Sequence, residues 1–346
     1  MQGRMQNDEK IGNWPEAFVD HQPGPKVALA PMSGITDCAL RRIAMRHGAS
    51  FVVSEMVASD EFVRGHEETR LRAEGEGVTP HIVQLAGCDA NWLAEAARLA
   101  EASGADVVDI NMGCPAKRVT GGWAGSALMR NLDHAVKLVE ATVAATRLPV
   151  TVKMRLGWDE ASRNAPELAR RAVDAGARVI TVHGRTRQQF YKGEADWAAI
   201  SAVRAAVPAV PLVANGDIRS AADARACLAQ SGADAVMIGR AALGRPWLPG
   251  LIAHELRSGQ APDEPELAVK LAAALEHFEA LVAMMGPAGV RHARKHLAAS
   301  LDDAFMHGAA RALALKPAIC TEGDAGRVTS LMQEAFRPGE VGARAA

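Results

Sequence analysis

Eight short, nearly uninterrupted apolar runs, each followed by a helix-length stretch with apolar residues every three or four positions, leave this chain few folds to choose from. They are KVALAPM, FVVSEMV, HIVQLAG, VVDINMG, VTVKMRL, VITVHGR, VPLVANG and AVMIGR. A strand that is apolar at nearly every position is covered on both faces, which calls for a parallel sheet with the returning helices outside it. Eight strand–helix units over about 215 residues predict an α/β fold of the TIM (β/α)8 barrel type. GADVVDI, GARVITVHG and GADAVMIG repeat one junction, in which a glycine stops a helix just before the next strand. Beyond Trp247 the strands cease but helical spacing continues through ELAVKLAAALEHFEALVAMM, GVRHARKHLAASL, a third Ala/Leu segment and TSLMQEAF, with breaks at Pro262 and Gly286-Pro287. The expected organisation is an N-terminal extension (1–24), a barrel (25–249), a smaller C-terminal α-helical bundle (250–338) and a tail (339–346).

Composition removes several classes. The five cysteines, Cys38, Cys88, Cys114, Cys227 and Cys320, are odd in number and lack metal-ligand spacing, which argues against a disulfide framework or a zinc site and for a reducing cytoplasm. The opening MQGRMQNDEKIGNWPEAF has no apolar core, and no run is long enough to span a bilayer, so neither secretion nor a membrane is expected. A formal charge of −1 means that any hold on nucleic acid must come from a local basic patch. The default oligomeric state is a monomer.

In a barrel of this kind the chemistry sits where the strands end. The run ends, taken as one list, give Pro31, Met32 and Ser33; Glu55; Gln84; Asn111 with Cys114; Lys153 with Arg155; His183 with Arg185; Asn215; and Gly239 with Arg240. A ring of amides, amine, imidazole and thiol points to a ligand rather than to independent helix caps. The last two units, ANGDIRSAADA and MIGRAALGRPW, pair a strand end with glycine and a helix start, the place where such barrels hold a phosphate. A monophosphate there, with amides and a lysine further round, suits FMN. On spacing alone, Lys153 could equally be a Schiff-base lysine.

The blocks APMSGITD, VQLAG, DINMGCP, VKMRLGWD, HGRTRQQFYKGEADW, ANGDI and IGRAALGRPW, in this order, resemble the tRNA-dihydrouridine synthases. RHARKHL near the end is similar to the bacterial B-type subgroup, and the match runs from about Lys26 through that segment. The resemblance implies that Pro31, Met32 and Ser33 lie along the flavin ring and that Gln84 and Lys153 bond its edge. It implies further that His183, Asn215, Gly216, Asp217, Gly239 and Arg240 line the ribityl and phosphate side, and that Cys114 is the proton donor. Reducing the uracil double bond requires a hydride at the carbon β to a carbonyl and a proton at the carbon α to it. A thiol is protonated near neutrality yet acidic enough to donate, which suits it to the second task. NADPH is the implied electron source. With no Rossmann fingerprint in the chain, the nicotinamide is expected to visit the flavin from solvent.

A uridine stacked inside tRNA must be turned out to reach a barrel mouth, at a cost of roughly a few kcal/mol that phosphate contacts help offset. The candidates are Lys117 and Arg118 after the cysteine, Arg185 and Arg187 after the sixth run, and Arg291, Arg294 and Lys295 in the helical domain, which the resemblance implies is tRNA-binding. Asn111, Arg155 and Glu55 are candidates for substrate contact, and Glu55 could instead brace Arg155. Tyr191 and Phe190 could stack on a base or pack beneath it. Cys38 and Cys227 are expected on helix faces or in the core; Cys88, just past Gln84, could approach the pocket but is expected in packing. Ala298, Ala299 and Ser300 stand where the subgroup commonly has bulky aromatics, so tRNA orientation is not carried over. Two rivals remain: a flavin barrel acting on a free pyrimidine, like dihydroorotate dehydrogenase, and a non-catalytic RNA-binding regulator.

Overall fold

The computed structural model describes residues 14–18 and 24–338; most of the expected extension and the tail 339–346 lie outside the described residues. The described residues form two compact units, one of those up to 241 with 249–261, the other of 242–248 with 262–338.

The first unit is the barrel. Its strands are β1 (Lys26–Leu29), β2 (Phe51–Val52), β3 (Met56–Ala58), β4 (Ile82–Ala86), β5 (Val107–Met112), β6 (Val150–Arg155), β7 (Val179–His183), β8 (Leu212–Asn215) and β9 (Ala235–Ile238). Every pairing is parallel, in the order β2-β1-β9-β8-β7-β6-β5-β4-β3. This is the TIM barrel expected, with one difference: the second run is two strands, β2 pairing with β1 and β3 with β4. Ser54 fills the gap in the ladder. Its N–H donates to the Ile82 carbonyl at 3.0 Å and its Oγ accepts from the Gln84 N–H at 2.9 Å, so a side chain closes the ring where regular backbone pairing lapses.

Phe18, Phe51, Ile82, Val107, Val179, Val213 and Met237 share one core cluster within the barrel. Most of them lie at or near strand starts, so apolar packing occupies that end and leaves the strand ends to polar side chains. The glycine stops are real backbone requirements: Gly104, Gly176 and Gly232 take φ of +85°, +106° and +66°, a region costly for other residues.

The second unit holds helices Leu267–Met285, Pro287–Met306, Ala312–Thr321 and Ala325–Ala335 around Phe278, Leu281, Leu297, Leu301, Ile319 and Met332. Gly286, at φ +57°, ends the first and Pro287 opens the second, where a missing N–H costs nothing. Lys270 is buried between Glu264 (3.0 Å) and Asp303 (2.8 Å). Among the described residues, no helix is long and apolar enough to cross a membrane.

Candidate active site at the strand ends

Pro31, Met32, Ser33, Gln84, Asn111, Cys114, Lys153, Arg155, His183, Arg185, Asn215, Gly216, Asp217, Gly239 and Arg240 all line a single cavity of about 1150 Å³. Ligand sites usually occupy about 300–1,000 Å³, so this mouth has room for more than one small ligand.

Beneath it runs a chain of side-chain hydrogen bonds that ends at the cysteine. Thr151 Oγ1 donates to Asp109 Oδ1 (2.6 Å), Gln84 Nε2 to Asp109 Oδ2 (2.7 Å), and Asn111 Nδ2 to Gln84 Oε1 (2.7 Å). Asn111 Oδ1 in turn accepts from the Cys114 N–H (2.9 Å) and the Gly113 N–H (3.2 Å). On the other side, the Cys114 carbonyl accepts from the Ser126 N–H (3.1 Å) and Oγ (2.8 Å). The Cys114 backbone is therefore gripped from two directions while its side chain borders the cavity. Burial pushes the Asp109 carboxyl above the usual carboxylate range, against the bonds from Thr151 and Gln84 and the charge of Lys153.

Facing the same space is a cluster of nitrogen bases. Lys153 Nζ donates to Asn215 Oδ1 (3.2 Å), whose Nδ2 is anchored on the Met237 carbonyl (2.7 Å). Burial, helped by the charge of Arg155, pushes Lys153 down to about 8. Burial first, then Arg155, Lys153, Arg185 and Arg240, holds His183 well below its usual range, so the imidazole is neutral at physiological pH. Arg155, brought down to about 10 chiefly by burial, donates to the carbonyls of Gly113, Thr186 and Phe190 (2.9 Å each). It thus ties the cysteine turn to the loop after β7.

Two loops bring backbone close to the cavity. Gly216 has φ +121°, and a Cβ there would stand 2.7 Å from the Ala195 Cβ and 3.1 Å from the His183 ring. At Gly239 a Cβ would meet nothing nearer than Met32 Sδ at 3.8 Å, so the chain is bare where a ligand would approach. Beside them Arg240 stacks over Tyr191 (4.9 Å) and reaches Asp217 (3.4 Å).

Some expected residues are placed differently. Glu55 lies outside the cavity lining; it accepts from the Gly34 N–H and sits 4.0 Å from Arg72, so it braces the loop after β1 and not Arg155. Burial, opposed by the Gly34 bond and Arg72, raises its carboxyl above the usual range. Arg185 was expected to reach RNA phosphates, yet it is only 1% exposed. Its guanidinium is bidentate on Asp217 (3.0 and 2.5 Å) and also donates to the carbonyls of Lys192 (3.2 Å) and Gly193 (2.7 Å). A buried guanidinium needs such partners; the next loop supplies the carboxylate and its own loop the carbonyls. Burial works against the Asp217 charge, but Arg185 and the Ala195 N–H hold its carboxyl below the usual range. Arg187 does not line the cavity; it lies over the Trp158 ring at 4.7 Å. Lys117 and Arg118 are exposed on the short helix Lys117–Thr120, and Arg118 borders the cavity. Arg294 caps carbonyls of Thr321 and Glu322 (3.2 and 3.3 Å), Lys295 Nζ lies 3.3 Å from His292 Nε2, and Arg291 is exposed; all three belong to the helical unit. Phe190 and Tyr191 border the cavity at 42% and 45% exposure, edge to face at 4.8 Å. All five cysteines are free, and Cys88, expected in packing, lines the cavity. Sequence reasoning missed Asp109 and Thr151, which read as ordinary strand residues, and Ser126, whose role depends on a loop folding back.

A parallel barrel whose strand ends converge on one basic, thiol-bearing cavity belongs to the TIM-barrel enzymes that bind their ligands at the carboxyl end of the sheet. More narrowly, residues 28–323 match the family model described as Dihydrouridine synthase (Dus), and the chain is a member of that family. It is 55% identical over 273 residues to a probable tRNA-dihydrouridine synthase of Rhizobium leguminosarum bv. phaseoli, covering 79% of this chain and 84% of that protein. Identity to a protein of the same description from Rhodobacter capsulatus is 54%, covering 79% and 85%. With tRNA-dihydrouridine synthase B of Xanthomonas axonopodis pv. citri it is 50%, covering 79% and 82%.

Proposed function

We propose that this protein reduces uridines in tRNA to 5,6-dihydrouridine in the cytoplasm, with FMN as resident cofactor, NADPH as the reductant that recharges it, and Cys114 as the proton donor. One observation carries the reading: a cysteine held by Asn111 and Ser126 borders the same oversized cavity as Lys153 and two glycine-bearing loops.

The residues present fit FMN. Bare backbone at Gly239, the tight approach at Gly216 and the exposed guanidinium of Arg240 suit a phosphate, while Pro31, Met32 and Ser33 offer a wall for a flat ring. Asp109 and Asn111 fix the Gln84 amide, leaving one N–H and one lone pair to read a ring edge. Lys153 offers a positive charge for an anionic ring edge, and neutral His183 can donate one hydrogen bond without adding charge. Bound reduced flavin supplies the hydride for the carbon β to the uracil carbonyl. Cys114 delivers a proton to the neighbouring carbon, and the resulting thiolate recovers one from solvent. Its clamped backbone gives the thiol a defined position, which proton transfer over a single hydrogen-bond length demands.

Arg118, Lys117, Phe190 and Tyr191 border or adjoin the mouth and are proposed to meet the RNA. Arg185, Arg155 and Glu55 act from behind by shaping the loops. The helical unit is proposed to hold tRNA through Arg291 and Lys295, and the protein is proposed to act as a monomer. The test is Cys114→Ala in the purified holoenzyme. The variant should keep a flavin with the mass of FMN and its reduction by NADPH while dihydrouridine formation falls at least about 100-fold, in line with loss of a general acid. Full turnover by the variant would remove Cys114 from the reaction.

A further inference from the structure

Trp123 is 62% exposed and holds φ +61°, a left-handed conformation that a bulky residue rarely adopts without a reason. It sits on the loop between Cys114 and the 3-10 turn Gly125–Arg130, and its neighbours Gly122 and Ala124 line the cavity. The loop lies hard against the cysteine: a Cβ on Gly125 would come within 2.8 Å of the Cys114 carbonyl and 3.2 Å of its Cβ. Behind the indole runs an alternating stack. Arg130 lies over Trp123 at 5.4 Å and over Trp158 at 5.0 Å, and Arg187 covers Trp158 at 4.7 Å.

The stack joins three loops, those after β5, β6 and β7. Among the described residues, neither Arg130 nor Arg187 makes an ion pair within 4.0 Å, and the same is true of Lys117 and Arg118 on the adjoining turn. An exposed aromatic face backed by guanidinium planes, with uncompensated positive charge around it, is the combination that holds unpaired nucleic acid. Any base can stack on the ring, and its phosphates meet the cations.

We infer that Trp123, held out by Arg130, Trp158 and Arg187, is a stacking platform for an unpaired base of the RNA, adjacent to the nucleotide that enters the cavity. This deepens the tRNA reading above and rests on it. The platform would give a flipped uridine's neighbour a new stacking partner, adding to the phosphate contacts in offsetting the cost of unstacking.

The experiment compares binding of an unmodified tRNA transcript to flavin-loaded wild type, Trp123→Ala, Trp123→Leu and Trp123→Phe across salt concentration, with melting temperature and flavin content measured on each. Loss of one base-stacking ring weakens binding roughly tenfold or more. The Ala and Leu variants should show this loss with an unchanged salt slope, because an uncharged ring releases no counterions. Trp123→Phe should restore most of the affinity, and melting temperature and flavin content should stay at wild-type values. Ala and Leu variants that bind within twofold of wild type overturn the platform. So does a loss that tracks a lowered melting temperature or flavin content, which would make the stack a brace. Wild-type protein that fails to bind tRNA would instead refute the function proposed above, while normal wild-type binding with an insensitive Trp123 refutes the platform alone.

Discussion

Lys153→Met should abolish the pH dependence of flavin binding. Burial lowers the Lys153 amine from 10.5 to about 8, so in flavin-free protein it loses its proton progressively above that pH. The anionic edge of a reduced flavin beside Nζ would restore the proton and return the bound-state value toward that of a free lysine. By linkage, the apparent Kd then rises about tenfold per pH unit between the two values, or roughly 30-fold from pH 7 to pH 9.5. The same shift acts in the opposite sense on the stability of the apoprotein. Between pH 8 and 10.5 the unfolded chain carries a proton that the folded chain lacks, so this residue makes folding more favourable as pH rises through that window, by up to ~3 kcal/mol. Anaerobic titration with reduced FMN, followed by quenching of protein tryptophan fluorescence, on wild type and Lys153→Met apoprotein at matched ionic strength, reads the first effect. The variant should bind more weakly at pH 7 and show a flat profile. A wild-type profile as flat as the variant's would refute the placement of an anionic group at Lys153, and with it the orientation proposed for the ring.

Asp217→Ala leaves the Arg185 guanidinium buried with only loop carbonyls and the neutral His183 ring for company, and should cost about 3 kcal/mol or more in denaturant unfolding of the barrel, with loosened flavin binding. A midpoint unchanged by the substitution would show that those neutral partners suffice. Lys117→Ala combined with Arg118→Ala should reduce the salt slope of tRNA binding by about 2, about one for each phosphate contact removed. A slope equal to wild type would show that this turn faces away from RNA.

The barrel was legible from the chain because burial on both faces demands apolar residues at nearly every strand position, and that demand is local. The ring of site residues was legible for a related reason. Once eight parallel strands close, their carboxyl ends must converge, so a polar residue at the end of each run is placed without knowledge of any contact. Gln84, Asn111, Lys153, His183 and Asn215 all entered the cavity lining on that argument alone. Helix breaks at Gly286-Pro287 were equally local, a matter of allowed φ and a missing donor.

What escaped the sequence was direction and partnership. HGRTR reads as a basic rim, but Arg185 turns inward because Asp217, thirty-two residues further on, waits with a bidentate carboxylate. Glu55 ends as the acceptor for Gly34, twenty-one residues away, and not as a brace for Arg155. The single second strand became two because the Ser54 side chain substitutes for backbone in pairing with β4. Nothing in the spacing of Trp123, Arg130, Trp158 and Arg187 marks them as neighbours; three separate loops had to fold across the same rim. Periodicity and backbone sterics act over a few residues and leave their trace in composition, whereas where a charged or aromatic side chain points is settled by which distant groups can satisfy it once the chain has closed on itself.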